Sequence, residues 1–482
     1  MGITLDPSIK HILSIINELA PVSYLVGGAI RDTLMDRPQR ADLDVAVKGD
    51  GLDLAKRVAD RMSGIASVVP LDAKRFTGRI VLRSDEHATV DISALKGDTI
   101  HDDLCRRDFT INSIGIALND FIESGLERLI DPCEGKADLR NKVVRACSRD
   151  AFQDDPLRIL RGFRFVADLG FQISPDTLVL IPASLPLLRH MAHERVRDEL
   201  IALLAADASF AALRGMDAWG VLETLFPELG PMKGCGQNEY HHLDVWDHSL
   251  ETVRCLEEQV ILRFSCFDGL IQEIEQYMAG EPVKGRPRIA LLKLAAIFHD
   301  AGKPQTRFVD STGRVRFFGH ERVSEEIFSR VGVRLKLAVR EMAVVRDWIS
   351  GHMRPMFLNE EIVSRRALHR LYRKFHRDIF GLLLLHLADL AASRGPARSL
   401  AAEEKACNSV SKALEICLEL EKSPLVPLLN GKDLMGMLGL KPGPQLGRIL
   451  NHLAELQAAG DIKTTEEAVA AAGEFLNNNH EN

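Results

Sequence analysis

Short apolar runs separated by polar turns mark the N-terminal part of the chain. Residues 8–19 carry apolar side chains at the three- and four-residue spacing of an amphipathic helix. A similar pattern over 51–62 predicts a second helix. Five other runs are short enough for strands, namely 24–26, 42–47, 65–69, 79–82 and 89–92. The pattern predicts a small domain with local, antiparallel strand connections and not a series of parallel βαβ units.

The pattern changes after residue 147, and from Asp154 onward helical spacing continues to the end of the sequence. Asp154 suits the N-cap of the first of these helices, and Pro156 suits its first turn. The fold class is therefore predicted as α+β, with a small mixed or antiparallel sheet followed by an all-helical remainder. No GxxxxGK[ST] motif is present, so a P-loop is not predicted.

Composition narrows the class of protein. The chain has 482 residues, 46% of them hydrophobic and 27% charged, which is typical of a soluble globular protein with several domains. The formal net charge is −7, so any nucleic-acid binding must use a local basic patch. The eight cysteines are scattered without a CxxC pair, and no zinc ribbon is predicted. No signal peptide or membrane span is evident, so the cytoplasm is the expected location.

The stretch LVGGAIRDTLMDRPQRADLDVAV carries the first candidate chemistry. Asp42 and Asp44 are separated by one residue in a predicted strand, so both carboxylates point to one face and suit Mg²⁺. Gly27 and Gly28 let the backbone approach a phosphate, and Arg31 offers it a forked donor. The pattern indicates a metal and triphosphate site. The alternative is a tight turn followed by a solvated acidic edge.

Two later segments add candidates to the same domain. Asp91, in an alternating run, is a third carboxylate candidate, although a strand-edge aspartate fits equally well. Arg106 and Arg107 precede an apolar stretch and could neutralise phosphates, while Asn112 could bind a sugar hydroxyl. A solvated charge cluster is the competing interpretation.

The segment DDPLRILRGFRF is a candidate base-reading element. Asp155, Arg158, Arg161 and Arg164 follow at steps of three, near one helical face. A carboxylate acceptor beside a guanidinium donor can match the edge of a base. An intrahelical ion pair between Asp155 and Arg158 is an equal alternative. The charges of the later helix 191–204 are expected to form a solvated face.

Histidines and aspartates in the second half form another constellation. His248 lies on a predicted helix, and His299-Asp300 end an apolar helix. Three more such residues follow on later helices: His320, His352 and Asp389. Such residues can converge in a helical bundle, bind one or two metals and activate water for phosphoester hydrolysis. A purely structural remnant is the alternative.

In the tail, the turn Gly439–Gly443 could bind a nucleic-acid phosphate or simply join two helices.

Taken together, these motifs resemble the bacterial class II tRNA nucleotidyltransferase and poly(A) polymerase family, within the polymerase-beta-like nucleotidyltransferases. The matching motifs are LVGGAIRD with ADLDVAV, DLCRRDFTINSIG, DPCEGKADL, DDPLRILRGFRF, ERVRDEL, the HHLDVWDHSLET…HDAGK…GHE array and GKDLMGMLGLKPGPQLG. The HHLDVWDHSLET…HDAGK…GHE array looks like an HD hydrolase domain. The resemblance implies a nucleotidyltransferase head over 1–147, a helical neck over 148–235, an HD domain over 236–395 and a tRNA-binding helical tail over 396–482.

The resemblance also implies roles for the candidate residues. Asp42 and Asp44 would hold two Mg²⁺ ions, and Gly28, Arg31 and Arg107 would contact triphosphate or ribose. A further set would read CTP or ATP, with Asp155 and Arg158 as the template and Arg161 and Arg164 assisting. The tRNA 3′-hydroxyl would attack the α-phosphate and release pyrophosphate. The HD ligands would bind a divalent transition metal or Mg²⁺.

Two departures from the family pattern matter. The base-reading motif usually begins Glu-Asp, whereas this chain has Asp154-Asp155, which makes Asp154 doubtful as a base contact. The segment from Asp91 to Arg106 is short, and relatives limited to CC addition share that shortening. The sequence therefore leans towards CC addition.

A poly(A) polymerase ranks lower because a GRRFRL-like run is missing. An HD phosphohydrolase with a merely nucleotide-binding head is the alternative from another reaction class.

Overall fold

The computed structural model describes most of the chain in ten stretches and one single residue. These are 5–38, 42–62, 64–72, 76–83, 88–237, 242–261, 267, 269–359, 365–393, 400–422 and 426–478. Internal contacts divide the chain into two compact units. The first comprises Met1–Leu203 with Ala211–Leu225, and the second comprises Leu204–Phe210 with Phe226–Asn482.

A six-stranded sheet forms the centre of the first unit. Its strands are β1 (Ser23–Val26), β2 (Asp42–Val47), β3 (Ala66–Asp72), β4 (Thr77–Leu82), β5 (Thr89–Ala94) and β6 (Gly115–Ala117). They lie in the order β3-β4-β5-β2-β1-β6. The pairing is antiparallel except between β2 and β5, which run parallel. The predicted α+β class with a small mixed sheet is confirmed. The expectation of antiparallel connections holds for the other pairs of this sheet but not for β2 and β5.

Helices surround this sheet and continue beyond it. They are α1 (Pro7–Leu19), α2 (Gly28–Leu34), α3 (Gly51–Arg61), α4 (Ile100–Cys105), α5 (Leu118–Ser124), α6 (Gly135–Asn141), α7 (Ala151–Asp154), α8 (Arg158–Leu169), α9 (Pro175–Leu178), α10 (Ile181–Leu188), α11 (His193–Ala205), α12 (Ser209–Ala218) and α13 (Val221–Leu225). Both predicted N-terminal helices are present. α4 packs Ile100 and Leu104 against Val26 and Ala46 of the sheet. Two short parallel strands, β7 (Val143–Val144) and β8 (Gln172–Ile173), interrupt the otherwise helical part.

The expected N-cap at Asp154 is wrong. Asp154 is the last residue of α7, and α8 begins only at Arg158. Between them Asp155 is extended, with φ −151° and ψ 99°. The reason is Pro156, whose ring disfavours the helical conformation for the residue before it. Asp155 therefore lies at a break between two helices, while Arg158, Arg161 and Arg164 share α8.

The second unit is built mainly of helices. They are α14 (Val245–Ile261), α15 (Ile271–Ala279), α16 (Arg288–Phe298), α17 (Lys303–Thr306), α18 (His320–Arg334), α19 (Val339–Gly351), α20 (Arg365–Phe375), α21 (Ile379–Ala392), α22 (Leu400–Lys422), α23 (Gly431–Leu438), α24 (Pro444–Ala459) and α25 (Thr465–Asn478). A hairpin of β9 (Phe308–Val309) and β10 (Val315–Arg316) precedes α18. Short 3₁₀ turns occupy Pro227–Met232, Arg354–Asn359 and His376–Asp378 in this unit, and Thr110–Asn112 in the first unit.

Apolar packing holds this unit together at two places. α16 is buried along Ala290–Phe298 and packs against α14, α19 and α21. A separate cluster joins α23, α24 and α25 through Leu434, Ile449 and Ala468. The turn predicted at Gly439–Gly443 does join two helices, α23 and α24. Within the described ranges, each helix is too short or too polar to cross a membrane.

Candidate active site and metal centre

Three carboxylates meet on neighbouring strands of the sheet. Asp42 and Asp44 lie on β2, and strand pairing sets Asp44 beside Asp91 of β5. Thr89 fixes one of them, since its Oγ1 donates to Asp42 Oδ1 over 2.7 Å. Asp91 accepts two hydrogen bonds from Arg79. The predicted DxD pair and the third carboxylate candidate therefore form one acidic group.

Asp44 has an unusual electrostatic environment. Burial raises the pKa of its carboxyl group above the usual value, Arg107 and Arg161 oppose that rise, and Asp91 and Asp42 add to it. A carboxylate beside two others is repelled by their negative charge unless a cation neutralises it. Hard divalent ions prefer such oxygen donors, so the residues present fit a magnesium-type ion.

A glycine turn faces these carboxylates. Gly27 has φ +84°, a conformation that side chains rarely tolerate. A Cβ at this position would lie 2.9 Å from Asp44 Oδ2 and 3.4 Å from an Arg107 nitrogen. Gly28 begins α2 directly after it. The turn therefore allows backbone, carboxylate and guanidinium to approach one another closely.

Arg31 and Asn112 belong to one buried network. Arg31 is 4% exposed, and its guanidinium donates to Asp32 Oδ1 and Asn112 Oδ1 over 2.8 Å each. Its Cζ lies 5.2 Å from the ring centre of Phe165. Arg107 is held separately by Asp103, at 3.0 Å. Both arginines are thus fixed in position before any ligand arrives.

A cavity of about 210 Å³ collects most of the predicted head residues. Those that line it are Gly27, Gly28, Arg31, Asp42, Asp44, Arg107, Asn112, Arg161 and Arg164. Asp91 does not line this cavity. It lies beside Asp44, its partner across the β2–β5 strand pair. The arrangement combines carboxylates for a cation with guanidiniums for an anion, as a nucleoside triphosphate with its metal requires.

The candidate base readers already have partners in the protein. Asp155 Oδ2 accepts from Arg195 Nη2 at 2.7 Å, and its Oδ1 accepts from the backbone N–H of Leu157. Arg158 donates to the carbonyl oxygens of Arg106 and Ala151. Asp155 and Arg158 therefore bind different partners, and the alternative of an ion pair between them is wrong.

Arg161 and Arg164 are tied to carboxylates from elsewhere in the chain. Arg161 lies 2.9 Å from Asp108, and Arg164 lies 2.8 Å from Glu199. Burial alone would raise the pKa of Asp108, but Arg161 and the hydrogen bonds from Asn112 and the Phe109 backbone lower it overall. Asp108 is therefore a charged, fixed anchor for α8.

The expectation of a solvated charged face on helix 191–204 is wrong for two residues. Arg195 and Glu199 lie one turn apart on α11 and reach Asp155 and Arg164. Sequence reasoning missed these partners, and Asp108 with them. The i,i+4 spacing of Arg195 and Glu199 was the available signal.

A larger cavity, of about 930 Å³, joins the two parts of this site. Its walls include Asp44 and Arg107 on the carboxylate side. They also include Asp155, Arg158 and Arg195 at the break between helices. One space thus borders both the candidate metal ligands and the candidate base readers.

Six ligand-type side chains converge in the second unit, five of them buried and Asp389 partly exposed. His248, His299 and Asp389 form one group with ligand atoms within 4.8 Å of one another. Asp300, His320 and His352 form a second group of the same kind. Asp300 connects the two, because Oδ2 lies 3.3 Å from His299 Nε2 and Oδ1 lies 3.2 Å from His320 Nε2. The structure therefore brings together all six residues that the sequence singled out.

The orientation of the rings suits metal binding. Nδ1 of His299, His320 and His352 each lies 2.7–2.9 Å from a backbone carbonyl oxygen. A carbonyl only accepts, so Nδ1 of each ring carries a proton and each Nε2 atom faces inward. Nε2 of His320 and Nε2 of His352 are only 3.1 Å apart. Two lone pairs at that distance repel, and a cation bound between the ligands removes the repulsion.

Charge at this centre favours a cation. Burial alone would raise the pKa of Asp300, but His299 and Lys303 lower it well below its usual range. The pKa of His299 shifts the other way: burial lowers it, yet Asp300 and Asp389 outweigh burial and raise it to about 10. Lys303, which the sequence analysis did not assign, lies 2.6 Å from Asp300 Oδ2. The carboxylates thus attract positive charge to the place where Nε2 atoms converge.

A mixed sheet that carries paired carboxylates beside a cluster of arginines is the arrangement of a nucleotidyltransferase head. Four family models match along the chain: "Poly A polymerase head domain" over residues 23–145, "Probable RNA and SrmB- binding site of polymerase A" over 170–232, "HD domain" over 245–378 and "tRNA nucleotidyltransferase domain 2 putative" over 377–472. The chain belongs to the tRNA nucleotidyltransferase and poly(A) polymerase family, and the resemblance inferred from its motifs is confirmed.

Individual relatives span nearly the whole chain. The A-adding tRNA nucleotidyltransferase of Deinococcus radiodurans is 35% identical over 460 residues, covering 93% of this chain and 94% of its own. The CC-adding tRNA nucleotidyltransferase of Thermus thermophilus is 33% identical, covering 93% and 92%. A solved structure of the Thermotoga maritima CCA-adding enzyme with tRNA has a TM-score of 0.64 at 22% identity, covering 98% of this chain and 96% of that one. The protein is therefore an enzyme of the nucleotidyltransferase type, and its two metal-suited sites agree with divalent-metal use.

Proposed function

We propose that the chain extends the 3′ end of tRNA with cytidine or adenosine from CTP or ATP. The observation that carries this proposal is the 930 Å³ cavity, which borders Asp44 at one side and Asp155 with Arg158 at the other. Relatives that share nearly the full length of the chain are named for this activity. The nucleotide would span the cavity, with its triphosphate at the carboxylates and its base at the helix break.

Asp42 and Asp44 would hold Mg²⁺, with Asp91 as the neighbouring third carboxylate. Mg²⁺ bound there would supply positive charge that polarises the α-phosphate and offsets the charge on the departing pyrophosphate. Arg107 and Arg161 would add fixed positive charge at the triphosphate, and the turn at Gly27-Gly28 would let the backbone approach it. The 3′-hydroxyl would lose its proton to water as its oxygen bonds to the α-phosphorus and the bond from that phosphorus to pyrophosphate breaks.

Arg31 and Asn112 would support this geometry. Asn112 stands beside the cavity and would bind the ribose, while its side-chain oxygen orients Arg31. Arg31 would face phosphate or ribose from α2. Arg164, stacked at 4.9 Å over Phe165, would assist from α8.

Base selection would rest on Asp155 and Arg158. A carboxylate accepts from the exocyclic amino group that cytosine and adenine share, and a guanidinium donates to ring acceptors. Leu157 and Arg195 restrict the orientation of Asp155 through its two oxygens. Uracil and guanine present a carbonyl at the matching position and would be rejected.

We further propose CC addition as the specific reaction. The connection between β5 and α4 contains only residues 95–99, and it is held tightly. Asp103 Oδ1 accepts from Lys96 N over 3.0 Å, and Thr99 with Asp102 caps α4. Such a connection leaves no long loop to adjust the site from CTP to ATP. The A-adding relative at 35% identity makes A addition the competing outcome, with poly(A) addition behind it.

The test uses tRNAs ending in different parts of the CCA sequence. With CTP, a tRNA lacking all three nucleotides should gain two cytidines, and with ATP a CC-ended tRNA should gain nothing. Asp42→Asn should lower incorporation by about a thousandfold or more, since electrostatic and metal stabilisation is lost. Asp60→Asn changes an exposed carboxylate of the same domain and serves as the control. A terminal adenosine on CC-ended tRNA would disprove CC-only addition, and long A tails on unrelated RNA would favour a poly(A) polymerase.

For the second unit we propose metal-dependent phosphoester hydrolysis. His248, His299 and Asp389 would hold one divalent ion, and His320 with His352 a second, with Asp300 between them. A transition metal or Mg²⁺ would serve, because imidazole and carboxylate suit both kinds of site. His299→Ala should abolish hydrolysis of a phosphodiester while incorporation persists. Hydrolysis that is unchanged by His299→Ala would not come from this centre and would favour the structural remnant. Incorporation lost with His299→Ala but kept with Asp42→Asn would favour a phosphohydrolase whose head only binds nucleotide.

The proposed domains are those expected from the sequence: a head over 1–147, a neck over 148–235, an HD domain over 236–395 and a tail over 396–482. The tail would bind tRNA, with the turn at Gly439–Gly443 as a phosphate contact. The cytoplasmic location stays a prediction.

A further inference from the structure

Three charged side chains form a row across the sheet of the head. Asp44 pairs with Asp91 between the parallel strands β2 and β5, and Asp91 pairs with Arg79 between the antiparallel strands β5 and β4. Residues paired directly across neighbouring strands point to the same face. Asp91 therefore lies between a carboxylate that suits a metal and a guanidinium.

Arg79 occupies both oxygens of Asp91. Its Nε lies 2.7 Å from Oδ1, and its Nη2 lies 2.8 Å from Oδ2. Paired parallel hydrogen bonds of this kind fix geometry as well as charge. Arg79 is 38% exposed and Asp91 is 20% exposed, so the pair lies at the rim of the site and not in the core.

The positive charge of Arg79 acts on the whole row. Its pKa is raised first by the hydrogen bond with Asp91, against the effect of burial, and then by the charges of Asp91, Asp42 and Asp44. Asp91 in turn helps to raise the pKa of Asp44. The fixed charge of Arg79 thus offsets part of the negative charge of the three carboxylates. Without it, only bound ions, Arg107 and Arg161 would offset that charge.

We propose that Arg79 is a built-in counter-ion for Asp91 that keeps this carboxylate from binding metal and thereby limits the affinity of the head for divalent cations. The proposal rests on the proposed metal site at Asp42 and Asp44. With Arg79 present, Asp91 is a positioning residue, since both its oxygens are engaged. Without Arg79, Asp91 presents a free negative charge beside Asp44, and a divalent cation binds more tightly.

The test is calorimetric titration of the full chain with Mn²⁺ and no nucleotide. The second unit carries its own metal-suited cluster, so the parent protein and every variant also carry His299→Ala and His320→Ala. Arg79→Gln removes the charge and is expected to raise Mn²⁺ affinity about tenfold, the scale on which one nearby charge acts. Arg79→Lys keeps the charge and is expected to stay within about threefold of the parent. Arg79→Gln combined with Asp91→Asn is expected to return to the parent affinity.

Two controls separate the possible failures. If Asp42→Asn leaves Mn²⁺ binding unchanged, the proposed metal site itself is wrong. If Asp42→Asn weakens binding but Arg79→Gln matches the parent, the metal site stands and the counter-ion role is wrong. Equal gains from Arg79→Lys and Arg79→Gln would also contradict a role of charge. Circular dichroism checks folding, and Arg79→Met provides a second charge-removing variant should Arg79→Gln fail to fold.

Discussion

Arg195 and Asp155 form an ion pair whose Nη2 and Oδ2 atoms are 2.7 Å apart, which joins helix α11 to the break before α8. Asp155 is the proposed acceptor for the amino group of the base. Its carboxylate can rotate only at the expense of this bond and of the bond from the Leu157 N–H. Arg195 would therefore hold the proposed base reader in place without itself contacting the base.

Replacing Arg195 should loosen base selection more than it slows transfer. Arg195→Ala is expected to reduce the preference for CTP over UTP about tenfold, a modest effect because Arg195 is half exposed and solvent screens the pair. Competition between the two labelled nucleotides on one tRNA measures it. Arg189→Ala removes an exposed arginine after α10 and should leave the preference unchanged. An unchanged preference in both variants would show that Arg195 does not position Asp155.

Gly27 offers a test of the close approach at the carboxylates. Gly27→Ala adds a Cβ 2.9 Å from Asp44 Oδ2 at φ +84° and should lower kcat by about a hundredfold, as displaced catalytic geometry does. The matched control is Gly64→Ala, because Gly64 has φ +83° and no neighbouring atom within 4 Å of the added Cβ. Backbone strain at positive φ should lower the free energy of unfolding of both variants by about 1–3 kcal/mol. Only the Gly27 variant should lose activity, as followed by incorporation of labelled CTP.

The Asp108–Arg161 pair should make the first unit sensitive to acid. The pKa of Asp108 is lowered in the folded protein, so its contribution is fully present above the unfolded value and is lost as pH falls through the lowered pKa. Asp108→Asn should reduce the free energy of unfolding at pH 7 by about 2–4 kcal/mol because it leaves Arg161 without its nearest carboxylate.

Urea unfolding of this variant at several pH values measures the effect. The difference from the parent should shrink as the pH drops below about 4, the usual range for carboxyl groups. Asp176→Asn, whose side chain is 92% exposed, should show no such trend. A constant difference across pH would mean that the charge of Asp108 is not what stabilises the unit.

Asp300 should control metal content in the second unit. Because its two oxygens face different ligand groups, Asp300→Ala should lower the tightly bound divalent metal from two equivalents towards none. Elemental analysis by mass spectrometry measures the stoichiometry. Glu326→Ala, at an exposed position of α18, should keep the parent content. Retention of one equivalent in Asp300→Ala would show that the two groups bind independently.

Local motifs of this chain were predictable from sequence because their chemistry lies within one element. Asp42 and Asp44 alternate along one strand, and His299 follows a helix whose buried run is continuous. Each of these needs only the period of its own strand or helix. The break at Asp155 was missed, although Pro156 directly follows it and disfavours a helical conformation there.

The partners of these residues were not predictable in the same way. Arg79 reaches Asp91 through a hairpin, and Arg195 reaches Asp155 from 40 positions further along the chain. Spacing along α11 shows which charges share a face but not what that face meets. The parallel pairing of β2 with β5 likewise depends on the whole sheet, so the local turn signals between them favoured antiparallel neighbours.

The strand order of the head also bears on how the protein is made. β2 and β5 are adjacent in the sheet, yet α3 and the β3–β4 hairpin separate them in the chain. Contacts between distant segments form late because the intervening chain must first be closed into a loop. On the ribosome, the DxD strand is therefore made well before the strand that completes its surroundings. A nascent chain that ends before Thr89 has the acidic strand but lacks both Thr89, which holds Asp42, and Asp91, which lies beside Asp44, so the surroundings of the proposed cation site are complete only when β5 has joined the sheet.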